Sequence, residues 1–387
     1  ATYALAGGRV SANLGAGTVT VTGNAALDGT SDATALNLNA GGLTLGAANR
    51  FTAALAVTGS SGASVSLGGA EAFGSLAGAA NVVLGANRLT VGGADTSTSY
   101  SGEISGAGGL TKVGLGKLTF TAALTYTGNT IISGGTLAMG SAASLASAYI
   151  KAGGAAGDGG VLDVRALSGG LLVAAGQKLG GHGTVLGDVT IAGGAILAPG
   201  GSVGTLTDSG ATTFGGGGRY LFEITDATGS AGTGWDLYNV GSLGITATSG
   251  NPFIIDLQTL ANAGDQTAGA MSNWDPNKSY QWQFLVASST HFNATNFDSA
   301  WFQLTTTNFM NTSTFPGTFS VARGGSGGLG GDTTDQQLYI VYAAVPEPST
   351  LVLAGLGLAG LAWRLRRRSS SPNRSASSHR LPTGMSG

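Results

Sequence analysis

Apolar pairs spaced i, i+2, set between glycines and returning every two dozen residues or so, constrain this chain more than any other feature. Val19/Val21, Leu43/Leu45, Val65/Leu67, Leu89/Val91, Leu118/Phe120, Leu137/Met139, Leu162/Val164 and Val189/Ile191 recur with intervals of 24, 22, 24, 29, 19, 25 and 27 between first members. Alternation at two residues points both members of a pair to one face of a strand. Periods of this length belong to architectures in which one coil of chain stacks on the next. Leu36/Leu38 and Val82/Leu84 fit the same template, so the period is better defined than any one register. The near repeat of residues 45–51 and 84–89, each carrying an Asn-Arg turn that leads back into an apolar strand, agrees with it. At roughly 22 residues per coil and about 4.8 Å between strands, residues 1–210 make roughly nine coils and a rod on the order of 45 Å long.

Glycine supplies 70 of the 387 residues and charged types only 9%. Such a chain would be disordered if it lacked apolar surface, but hydrophobic residues reach 42% and the mean hydropathy is +0.23. A solenoid reconciles the two facts, because corners need permissive residues and interiors need apolar ones. No cysteine is present, so packing and backbone ladders must supply the stability. Six of the 17 basic residues follow the last acidic one, Glu347; without them and Glu347 the rest holds 11 basic against 18 acidic side chains, a net of −7. A body of that sign does not hold nucleic acid by counterion release. The chain opens at Ala1 with no charged-then-apolar leader, as expected of an exported protein whose signal peptide has been removed.

Around residue 211 the texture changes: of 27 aromatic residues, 19 lie between 211 and 345. Runs such as Phe253-Ile254-Ile255, divided by Gly, Asn and Pro, read as longer strands around a thicker core. The expected fold is therefore all-β. A right-handed parallel β-solenoid spans residues 1–210, an aromatic-rich β domain that caps it or forms a sandwich spans 211–344, a short membrane helix lies within 345–368, and a disordered, basic, Ser-rich tail covers 369–387. Capping has a physical motive, since the last coil of a solenoid exposes strand edges that invite aggregation.

Residues 345–368 hold three parts in order: Val345-Pro346-Glu347-Pro348, an apolar stretch over 351–363, and the cluster Arg364, Arg366, Arg367 and Arg368. Thirteen apolar residues fall short of the roughly 20 of an independent spanning helix, but the arginines resist crossing and favour a cytoplasmic end. This arrangement resembles the PEP-CTERM sorting signal. The resemblance implies export, a membrane segment at 351–363, stop-transfer arginines, and processing near Pro346-Glu347-Pro348 by an exosortase-type enzyme. One departure is the 19 further residues, 369–387.

Residues 106–139, with Lys112-Val113-Gly114-Leu115-Gly116-Lys117-Leu118-Thr119-Phe120, Tyr126-Thr127-Gly128-Asn129-Thr130 and Gly135-Thr136-Leu137, are similar to the autotransporter-associated β-strand repeat. Leu124 stands where that repeat often has Asn. Residues 180–185 and 198–206 resemble closing coils of passenger-type β-helices. These likenesses imply a surface-displayed passenger.

Chemistry is sparse. Gly200-Gly201-Ser202-Val203-Gly204 has nucleophile-elbow spacing, but no helix pattern follows Ser202, which favours a coil turn. His182 lies between glycines at a corner, and His291 sits beside Phe292. Residues 153–158 resemble a single calcium-binding nonapeptide turn, which works only in stacked copies, so they read as a plain turn. Asp158, Asp163, Arg165, Asp188 and Asp208 are scattered over successive coils, with Asp163 and Arg165 expected to form a modest surface pair. Lys112 shares parity with Leu110, so either a bulge at Val113-Gly114 turns it outward or the register is off by one. Trp235, Trp274, Trp282 and Trp301 fit either sugar stacking or, more commonly, core packing. The expected function is non-catalytic and cofactor-free, a structural or adhesive surface protein; the alternatives are a carbohydrate-binding protein that uses aromatic residues of the second β domain and, less favoured, a β-helix polysaccharide-degrading enzyme. Its expected partners are the processing enzyme, the membrane through 351–363, and extracellular polysaccharide or neighbouring surface proteins.

Overall fold

The structure, a computed structural model, describes residues 1–288, 297–311, 317–325, 328–329, 337–345, 356–364 and 366. Its body is a parallel coil with three faces: face 1 runs its whole length, face 2 is a six-strand ladder from Gly8–Val10 to Ile104–Ser105, and face 3 is a ten-strand ladder that begins at Glu71–Phe73. On face 1, Val19 lies beside Leu36, Leu36 beside Val57 and Val57 beside Leu76, all buried. Face 2 stacks Ala25, Leu43, Val65, Val82 and Ile104. Face 3 stacks Leu89, Leu110, Thr130, Ile150, Leu179, Leu197 and Tyr220. In-register stacking on all three faces yields one continuous core.

Successive face 1 rungs run Thr2, Thr18, Ala35, Ala56 and Ser75, and continue to Lys117, Thr136, Val161, Thr184 and Thr207. Counting the rung at Thr98–Tyr100, that is ten coils averaging about 20 residues, for a length of about 48 Å. The interval of about 24 in the apolar pairs is longer because those pairs sit on different faces: Val19 on face 1, Leu43 and Val65 on face 2, Leu89 on face 3. Mixing faces adds a fraction of a turn to some steps.

The change of texture at 211 is a change of side chains and coil length, since the parallel ladders pass straight through it. The strand Thr205–Phe214 crosses the position and pairs in parallel with Leu237–Ile245, both turning from face 1 to face 2 with a register shift between Asp208 and Ala211. Coil length grows to 32 residues from Thr207 to Asn239 and 47 from Tyr238 to Leu285. The wider interior is filled by rings: Phe214 stacks on Phe253 at 4.1 Å, and Tyr220 meets Phe284 edge-on at 5.5 Å.

Parallel pairing ends on face 1 at Tyr280–Ala287. Its far edge is taken by Gln337–Ala343, which is antiparallel and pairs in turn with Thr318–Gly325. A two-strand antiparallel flap thus covers the last rung, removing an open edge.

Corners explain the glycines. At Gly135 the backbone has φ +55°, and an added Cβ would lie 2.5, 2.6 and 2.7 Å from the carbonyl oxygens of Gly114, Gly116 and Leu115. Gly62 has φ +84° with nothing within 4 Å. Gly62→Ala should therefore cost about 1 kcal/mol from backbone conformation alone, while Gly135→Ala should cost at least about 2 kcal/mol because the stacked corner must also move apart. Denaturant unfolding of the two variants measures the difference.

Candidate functional site

The passenger-like segment occupies one and a half coils. Leu110–Lys112 and Thr130–Ile132 lie on face 3, Lys117–Phe120 and Thr136–Met139 on face 1. Neither the bulge nor the shifted register expected at Lys112 is present: it lies in register with Leu110, points inward and is 1% exposed. Its ammonium donates to the carbonyls of Val113 at 2.6 Å, Gly114 at 3.1 Å and Gly134 at 3.4 Å, so the side chain snorkels to the corner and ties down three turn carbonyls. Burial pulls its pKa down, against the attraction of Asp95. Leu124 is 1% exposed, and its backbone N–H donates to Ser144 at 3.0 Å; Leu trades a turn hydrogen bond for core volume. Tyr126 and Ser147 both bond Thr130 at 2.5 Å inside the coil.

The residues singled out for chemistry serve the backbone. Ser202 is buried; its hydroxyl accepts from the Gly264 N–H at 2.7 Å and the strand Thr205–Phe214 follows it. Asp158 closes its own turn by accepting from Ala155 at 2.7 Å. Asp163 and Arg165 pair at 2.9 Å, with the arginine 65% exposed. Asp208 accepts from Gly210 and Thr212, and Asp188 from Ala211. His182 is half-buried beside Gly204, and burial, then Lys151, hold its pKa below the ordinary value. His291 lies outside the described residues.

Of the tryptophans, Trp282 is wholly buried, donates to Ala227 O at 3.0 Å, and has Tyr280 stacked on it at 5.5 Å and Phe319 at 6.4 Å. Trp235 is 8% exposed and donates to Gln283 O. Trp274 packs among Tyr280, Tyr342 and Phe309. Trp301 is half-buried against Phe297. Trp235 and Trp282 present no free ring face to a sugar; coil stacking uses both as core.

Sequence reasoning missed the buried carboxyls. Asp236, fully buried, accepts from Gly204 N–H at 2.9 Å and Glu223 N–H at 3.0 Å, bridging three coil segments. Glu223, 4% exposed, accepts from Gln258 at 3.1 Å. Burial raises both pKa values, Glu223 to about 7, with Lys178 pulling it down and the neighbouring Glu223 pushing Asp236 further up. Glu71 does a similar job, accepting from Arg50 at 2.8 Å and Phe51 at 3.3 Å. A carboxylate in a coil interior is legible as a broken apolar alternation, but the backbone groups it meets come from coils up to 32 residues away.

At the end of the body, the Ala344 N–H donates to Ser279 at 3.1 Å and Val345 is 51% exposed. Pro346, Glu347, Pro348, Arg367 and Arg368 lie outside the described residues. Residues 356–364 and 366 are helical, with Leu356, Leu358, Leu361 and Trp363 57–69% exposed. Among the described residues no helix is long and apolar enough to cross a membrane.

Two comparisons place segments of the chain. Residues 344–368 match the PEP-CTERM protein-sorting motif, and residues 110–139 match the passenger-associated-transport repeat. No curated protein matches the chain significantly. The sorting match marks an exported protein, held at the membrane and displayed at the cell surface before processing by exosortase, and the passenger repeat fits that location.

Because Glu223 is neutral by preference when folded, its stabilising contribution is complete below about pH 4.5 and is lost as pH rises through about 7. Glu223→Gln removes that loss. The variant should gain on the order of 2–3 kcal/mol on wild type between pH 5 and pH 8.5, read from denaturant midpoints at the two pH values.

Proposed function

We propose that this chain is a non-catalytic surface rod whose coils hold a low-charge, Thr/Ser/Asn-rich exterior away from the membrane, in contact with extracellular polysaccharide or neighbouring cells. The observation that carries the reading is the order of parts: a capped stack of parallel coils, and directly after it the sorting segment at 344–368. The disposition of the ionisable groups supports it. Glu71, Asp236 and Lys112 spend their polar atoms on backbone groups, and Ser202 accepts from one. Such groups stabilise corners and seams of the coil. Thr20, Asn37, Thr58 and Ala77 follow one another outward on face 1, a small, uncharged column suited to contact along a length.

Replacing Arg364, Arg366, Arg367 and Arg368 together by Ser should move the full chain from the membrane fraction to the medium, as fractionation and immunoblotting would show. Cells displaying the native chain should attach to a polysaccharide-coated surface several-fold better than cells displaying the sorting segment alone. The full chain should leave acidic polysaccharides undegraded by reducing-end assay. Depolymerisation that disappears in Glu223→Gln or Asp208→Asn would replace the rod with an enzyme.

A further inference from the structure

Beyond the seams of the coil, face 3 carries one cluster that the fold does not consume. Tyr149 and Lys151 point outward from the strand Tyr149–Ala152, and Lys178 points outward from Lys178–Gly181, the next rung. Register places Tyr149 beside Lys178 and Lys151 beside Gly180. The Lys178 ammonium stands 4.2 Å over the Tyr149 ring. Four ion pairs join described residues, those of Arg9, Arg165, Arg219 and Lys278, and neither Lys151 nor Lys178 takes part. Two half-buried lysines therefore face the same side of adjacent rungs with no carboxylate of the described residues within 4 Å of either ammonium. Such an arrangement is repulsive until an anion joins it.

Two glycines let the backbone approach these side chains closely. A Cβ on Gly201 would lie 2.9 Å from Lys151 Nζ and 3.4 Å from Tyr149 Oη; one on Gly180 would lie 3.0 Å from the same hydroxyl. Gly201 has φ +121°, and its turn is pinned from outside by Gln266 Nε2 donating to Gly201 O at 2.6 Å. The Tyr149 hydroxyl is buried and has no hydrogen-bond partner, so an ammonium and an unsatisfied phenol converge beside one side-chain-free turn. The neighbouring carboxyls form no ion pair with the lysines: Asp158 attracts Lys151 from beyond ion-pair distance while accepting from Ala155, and the buried Glu223 and Asp236 accept from Gln258 and from backbone. Burial holds Lys151 below its ordinary pKa; Asp158 pulls it up and Lys178 pushes it down. The patch is also opposite in sign to a body of net −7.

We propose that Lys151 and Lys178, with Tyr149 as a positioning residue that holds Lys178 over its ring, form a binding site for the carboxylate or sulfate groups of an acidic polysaccharide. This rests on the surface-rod reading for the choice of a polymer over a small metabolite. Carboxylate and sulfate share the needed chemistry, a delocalised oxyanion able to accept from two ammonium groups at once. An acidic body repels the dense charge of nucleic acid, whereas a sugar polymer brings spaced charges to a single cationic spot. Outward from the lysines the same column of face 3 continues through Ile131, Thr111 and Thr90, a neutral surface along which a chain can lie.

The test uses the full chain in detergent, with polygalacturonate, dextran sulfate, unsubstituted dextran and sodium sulfate as probes in a binding titration at low and moderate salt. Both charged polymers should bind, more weakly as salt rises. Lys151→Gln with Lys178→Gln should lower affinity on the order of tenfold or more. Lys151→Arg with Lys178→Arg should keep binding, and Lys117→Gln, which removes an exposed cation on face 1, should leave it unchanged. Thermal melts check that each variant folds. Equal binding by wild type and the double Gln variant, equal binding of uncharged dextran, or binding of sodium sulfate alone would overturn the site. Cell attachment, measured separately, would survive that result if the surface-rod reading holds.

Discussion

Backbone hydrogen bonding between successive coils is the constraint on which everything else in this molecule depends. It fixes rungs about 4.8 Å apart, a distance at which corners of neighbouring coils nearly touch. At Gly41, Gly135, Gly181 and Gly183 a Cβ would meet the backbone of another coil at 2.0–2.5 Å. Abundant glycine here is thus a condition of close stacking rather than a sign of disorder. The inward residues at the strand centres, Leu36, Val57, Leu118, Leu137 and Leu162 among them, fill the narrow interior those corners enclose.

Where the ladder cannot supply a partner, a side chain does. Glu71 takes the N–H groups of Arg50 and Phe51, Asp236 those of Gly204 and Glu223, and Lys112 caps three corner carbonyls. Leaving such groups unsatisfied in a buried site costs more than a typical hydrogen bond gains. In a fold with few charged residues, several of those present are placed inside as plugs. The cost is pH sensitivity where burial outweighs the bonds, as at Glu223.

Much of the fold was legible because a solenoid writes its geometry into the chain: alternation gives the inward positions, and recurrence gives the coil. Lys112 shows where parity was right and the inference from charge was wrong: the expected bulge or shifted register is absent, and the lysine points inward in register with Leu110 because corner carbonyls receive its ammonium. The faces were not legible. Val19, Leu43 and Leu89 look equivalent in sequence but belong to three sheets, because coil length varies from 16 residues at the start to 47 at the end. For the same reason the Asp236 seam and the Lys151–Lys178 patch could not be seen in advance: each needs coils of unequal length to come into register. The tryptophans were ambiguous because an exposed sugar platform and a wide aromatic core have the same composition; coils of 32 and 47 residues created the interior that took in Trp235 and Trp282.

The cap and the tail give the stack a direction. Antiparallel pairing of Tyr280–Ala287 with Gln337–Ala343 ends the ladder, and the sorting segment follows at 344–368, so the coils extend from an anchored end. The stack itself is most directly tested by pulsed electron spin resonance on paired spin labels, which the cysteine-free chain allows without background mutations. Labels at Thr20 and Thr119, five rungs apart on face 1, should lie about 24 Å apart, and labels at Thr20 and Leu186, eight rungs apart, about 38 Å. Separations that fail to grow in proportion to rung number would contradict the stacked coil.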